Sequence, residues 1–144
     1  MAKSRTTFSF EDAWVFSAIS ASSQSSDGVP LRIIIGHGDY LNHAIFTLEE
    51  LNSAFSKLAS YQLIEFINPN VKRTNIGDQF YQNGIQRKGG AFSTILNMQK
   101  ALNSPFIKLP EFLSKINTPI TDTEFMSAYN AYKKKGNQTM KKTF

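Results

Sequence analysis

The chain has 144 residues, 41% of them hydrophobic and 19% charged, which suits one folded domain with its own core and excludes wholesale disorder. It contains no cysteine, so disulfide frameworks, thiol nucleophiles and thiolate metal sites are excluded. The formal net charge of +5 is unevenly placed: eight cations face eight anions through residue 90, and eight face three beyond it.

After a polar start, Phe10, Ala13, Trp14, Ser17, Ala18 and Ala21 recur at helical spacing and predict a helix over residues 9–23 with one buried face. Ser9 is its N-cap, followed by Glu11 and Asp12 in the first turn, where the helix dipole favours acids. The polar run 22–28 then forms a loop.

Residues 30–45 support two readings. Leu31 and the isoleucines 33–35 fit a buried strand ending at Gly36-His37-Gly38-Asp39. They equally fit a helix opened by Pro30 at its first position, and three β-branched residues and two glycines argue against that helix. Leu31, Ile34, Ile35, Gly38 and Leu41 share one helical face, and Gly38 then permits a close helix crossing. We take the helix.

Thr47 and Glu50 have capping-box spacing, and Leu48, Leu51, Phe55 and Leu58 bury one face of the helix that follows. Glu49, Asn52, Ser53, Ser56, Lys57 and Ser60 occupy the other face. Leu63 to Ile67 and Val71 to Thr74, joined by Asn68-Pro69-Asn70, read as a short hairpin. Thr74 or Asn75 then caps a helix carrying Ile76, Phe80 and Tyr81, which Asn83-Gly84 closes.

Gly89-Gly90 marks an internal boundary. Residues 1–88 form one unit, residues 89–135 a helical extension, and residues 136–144 a basic tail expected to lack order. In the extension, Phe92, Ile95, Leu96, Met98, Gln99 and Leu102 predict one helix. Phe125, Met126, Tyr129 and Tyr132 predict a last one, capped by Thr121 or Asp122. The fold class is therefore mainly α with a small β-hairpin, an α+β arrangement.

Residues 9–83 resemble a winged helix-turn-helix domain of the broad PadR-like and MarR-like kind. Trp14 in the first helix, the segment 38–47, the helix 49–60, Gln62-Leu63-Ile64 and Thr74-Asn75-Ile76-Gly77 carry the resemblance. In such families a leucine commonly stands where this chain has Arg73. The resemblance implies a transcriptional regulator with helix 47–60 in the major groove of double-stranded DNA and the hairpin 63–74 as its wing. Thr47, Asn52, Ser53, Ser56 and Lys57 would meet bases and backbone, while Asn68, Asn70, Lys72 and Arg73 would meet phosphate or the minor groove.

Charge qualifies that implication. Glu49 and Glu50 stand at the turn that should approach phosphate, and affinity follows the number of phosphates neutralised. A single copy offers Lys57, Lys72 and Arg73, so DNA binding calls for a homodimer. Phe92, Leu96, Phe125, Met126, Tyr129 and Tyr132 are its candidate contacts; packing within one chain is the alternative. A winged helix serving as a protein-interaction or structural module, without DNA, is the competing reading.

Other chemistry has little support. His37 and His43 fall on opposite sides of one helix and lack a third ligand, so no metal is expected. Gly36-His37-Gly38 lacks the rest of a phosphate loop, no serine sits in a glycine elbow, and neither an enzyme nor a cofactor is expected. No apolar run approaches a membrane span and no signal core follows Met1-Ala2-Lys3-Ser4-Arg5, which leads to a cytoplasmic expectation without membrane partners.

Overall fold

Helix α1 (Phe10–Ser20) is the axis on which three other helices pack. The computed structural model describes residues 7–22, 26–67, 69–89, 93–113 and 120–143, with side chains through residue 134. Among them are six helices and one two-stranded antiparallel sheet, so the chain is mainly helical with a small hairpin. No described helix is long and apolar enough to cross a membrane.

The N-terminus of α1 forms as the sequence implies: Ser9 Oγ accepts from the Asp12 N–H, and the Asp12 carboxylate accepts from the Ser9 N–H, a complete capping box. Its burial differs from expectation. Every residue from Asp12 to Ser20 is buried, on all sides of the helix, because α2, α3 and α5 surround it. Ala13, Trp14, Ser17 and Ala18 of the expected face are buried, but so are Asp12, Val15, Phe16, Ile19 and Ser20 outside it, while Ala21 is exposed and the helix stops at Ser20 instead of reaching 23.

Residues 31–42 form helix α2 (Leu31–Asn42), so packing of Ile34 and Ile35 overrides their β preference. Pro30 is its N-cap and not its first helical residue. Gly38 admits the ring of Phe46: a Cβ there would lie 2.3 Å from Phe46 Cε2. The Trp14 indole N–H donates to the Gly38 carbonyl at 2.9 Å, and the Trp14 and Phe46 ring centroids are 4.1 Å apart. The glycine thus serves an aromatic contact and not a helix crossing. His43 closes α2 in the left-handed region, with φ 53, through its backbone N–H to the Asp39 carbonyl.

Helix α3 (Leu48–Ser60) carries the capping box of Thr47 and Glu50 and buries Leu51, Phe55 and Leu58. Strands β1 (Ile64–Ile67) and β2 (Asn70–Arg73) pair in the register Ile64 with Arg73 and Ile67 with Asn70. Val29 adds an isolated bridge to Val71, with backbone bonds of 2.7 and 3.1 Å in the two directions. A single bridged residue has no periodicity, so the sequence offers no sign of it.

Thr74 caps helix α4 (Asn75–Ile85) by accepting from the Gly77 N–H. Gly84 lies within α4 and does not close it. It is buried against Met98 of helix α5 (Thr94–Leu102), whose Sδ would lie 2.7 Å from a Cβ. Met98, Ile95 and Leu102 join the same core as α1 and α3, so α5 is part of the central packing. Asn103 and Gln99 secure the chain before α1: Asn103 Oδ1 accepts from the Phe8 N–H, and both amide side chains donate to the Phe8 carbonyl.

Helix α6 (Asp122–Thr143) packs on α2. Its backbone stays helical to Thr143, through the lysine-rich stretch where an unordered tail was expected; lysine is a good helix former. None of its described side chains is fully buried. It is the most lightly attached helix of the fold.

Candidate binding surface of helix α3, the hairpin and helix α6

The side chains expected to face a partner from α3 and the hairpin are mostly engaged within the chain. Asn52 donates from Nδ2 to the Ile120 carbonyl at 3.1 Å and accepts the Ile120 N–H at 2.7 Å. This two-bond clasp ties the lead-in of α6 across the outer face of α3. Lys57 turns the other way. Its ammonium lies 2.9 Å from the Asp12 carboxylate, donates also to the Thr7 carbonyl, and sits 4.9 Å from the centroid of the Phe8 ring.

In the hairpin, Arg73 stacks over the Tyr81 ring at 3.9 Å and pairs with Asp78 at 2.9 Å, its side chain only 11% exposed. Its side chain packs against Tyr81 while its charge is met by Asp78. Asn70 donates to the Asp27 carbonyl at 2.8 Å. Thr47 is occupied as the cap of α3, whereas Ser53 is exposed and Ser56 half-buried. Lys72 is half-buried, opposite Glu65 in the sheet register, and forms no ion pair among the described residues. Asn68 lies outside the described residues.

The candidate dimer contacts divide as well. Phe125, Tyr129 and Tyr132 are partly buried against the core of their own chain, with the rings of Phe125 and Tyr129 stacked at 6.4 Å. Leu96 is 49% exposed and Met126 47% exposed, and Phe92 is outside the described residues.

Helix α6 is fixed at a second point by Tyr132. Its hydroxyl donates to Asp39 at 2.6 Å, and its ring lies over Gly36, where a Cβ would come within 3.0 Å. The hydrogen bond to the Asp39 carboxylate, burial, and the like charge that ionisation would create push the Tyr132 phenol from 10.0 up to about 12. A raised folded pKa means that this contribution to α6 docking is whole below pH 10 and is lost as pH rises towards 12. An ultraviolet titration of tyrosinate should therefore show one late-ionising tyrosine that disappears in Tyr132→Phe. Amides of α6 should exchange faster in that variant at neutral pH.

Between these two fixings α6 bridges a crevice of about 670 Å3 instead of closing it. Leu31 and Arg32 of α2, Phe55 of α3, Phe66 of β1, and Ile120 and Ala128 at α6 are among its walls. The lining is largely apolar and the volume is that of a small-molecule site. Arg32 is exposed and forms no ion pair among the described residues. Glu124, also in the lining, accepts from the Thr121 N–H and hydroxyl as the cap of α6. Sequence reasoning passed over Arg32 and Ile120, because an exposed arginine and one loop isoleucine have no pattern to set them apart.

His37 is bonded to Ser22 at 3.0 Å, and no described group of three metal-ligating side chains converges. No family model, curated protein or solved structure matches the chain.

Proposed function

We propose that the chain is a winged-helix domain that works as a binding or interaction module, and that it does not read DNA in the arrangement described. The order of α1, the Val29 bridge, α2, α3 and the β1–β2 hairpin supports the winged-helix reading. The clasp of Asn52 on Ile120 carries the functional one: the face of α3 that would enter a major groove is crossed by the chain's own lead-in to α6. Electrostatics favour the same conclusion. Lys57 and Arg73 spend their charge on Asp12 and Asp78, which leaves Lys72 as the cation of α3 and the hairpin without an ion pair among the described residues. One phosphate contact gives little counterion release and little affinity.

The regulator reading keeps one observation in its favour, the eight cations against three anions after residue 90. Fluorescence anisotropy with duplex DNA at low salt separates the two. The module reading expects no salt-dependent binding by the full chain. Binding whose affinity falls steeply with salt, at a slope of about 0.9 per phosphate neutralised, supports a DNA-binding regulator and overturns the module.

A further inference from the structure

We infer that the crevice beneath α6 binds a small amphipathic carboxylic acid, its apolar chain against Phe55, Phe66 and Ala128 and its carboxylate at Arg32. The inference rests on the reading of the domain as a binding module and names what it binds. Two features choose the ligand. The walls are largely apolar and the volume of about 670 Å3 accommodates a medium-length chain or a ring. Of the two charged side chains in the lining, Glu124 is hydrogen-bonded to Thr121, whereas Arg32 has no partner among the described residues.

Arg32 is out of place by local rules. It stands in the first turn of α2, at the positive end of the helix dipole, where a cation is disfavoured, and no carboxylate compensates it among the described residues. Local conflicts of this kind gather at functional positions. Glu124 belongs to the same lining and is held by Thr121. Its charge repels an anion from its own side and so orients the ligand with its carboxylate towards Arg32.

Isothermal titration calorimetry with decanoate, below its aggregation range, tests this against decanol, which has the same chain without the charge. The full chain should take up one decanoate, with decanol weaker by roughly tenfold, the size of one charge-assisted hydrogen bond. Arg32→Gln should remove that preference while leaving decanol binding unchanged. Ala128→Trp should abolish uptake of both. Ser127→Phe, at an exposed position of the same lining, should do so without touching the packed side of α6, and circular dichroism checks that both variants fold. Absence of decanoate binding, equal affinity for acid and alcohol, or binding that persists in a folded Ser127→Phe protein overturns the proposal. The DNA titration is read separately: salt-dependent DNA binding overturns the module whatever decanoate does, whereas a chain that binds neither overturns the ligand alone.

Discussion

Replacing Gly77 with alanine should lower stability by about 2–4 kcal/mol, although the same change at an ordinary helical position stabilises by roughly 1 kcal/mol. Gly77 is in the first turn of α4 and buried. A Cβ there would lie 2.1 Å from the Leu63 carbonyl oxygen, 3.1 Å from the Leu63 carbonyl carbon and 3.0 Å from Arg73 Cγ. The nearest obstacle is backbone and has no rotamer to change. It is also fixed, since the Leu63 carbonyl accepts the Thr74 N–H at 3.1 Å at the base of the hairpin, and Thr74 caps α4. Relief would require separating α4 from the hairpin and would weaken both bonds. A fall of the thermal midpoint on the order of 5–15 °C is expected, and an unchanged or raised midpoint would show that the helix can shift freely. Gly36→Ala is the control. Its Cβ would meet the Tyr132 ring, a movable side chain, at 3.0 Å, so its effect should fall mainly on the docking of α6.

These two glycines show where sequence reading reaches and where it stops. Gly77 was conspicuous as part of Thr74-Asn75-Ile76-Gly77, yet the reason for glycine is a carbonyl fourteen residues earlier, which no local pattern contains. The elements themselves are legible wherever the signal is local: the caps at Ser9, Thr47 and Thr74 and the β1–β2 hairpin lie close to where the spacing puts them. Errors arose where packing decides. A central helix is buried on every side, so spacing that marks one buried face of α1 leaves Val15, Phe16 and Ile19 unaccounted for. Gly84 resembles a terminator and is a helix contact. The binding surface was the least legible part. Asn52, Lys57 and Arg73 have side chains competent to touch DNA, but their partners Ile120, Asp12 and Tyr81 are set by tertiary structure.

Lys57 offers the sharpest way to tell a binding side chain from a structural one. Were it a DNA contact, its removal would weaken binding and leave stability alone; as the partner of Asp12, its removal strands a carboxylate that is 5% exposed inside the fold. Asp12 would keep the Ser9 N–H bond at 2.9 Å and lose its only ion-pair partner among the described residues. Breaking one side of such a buried pair costs about 3–5 kcal/mol when both charges are enclosed. Lys57 is 30% exposed at its side chain, and water there reduces the expected cost of Lys57→Met to about 2–3 kcal/mol. The double variant Asp12→Asn with Lys57→Met should recover part of that loss, because the uncompensated charge is then gone while the amide oxygen still accepts from Ser9. Denaturant unfolding of the four proteins measures the cycle. A Lys57→Met chain as stable as the parent would remove the structural role and return Lys57 to the outer surface of α3. A loss of stability that the double variant recovers in part would show that this lysine holds α3 to α1, and that its charge is spent before any partner arrives.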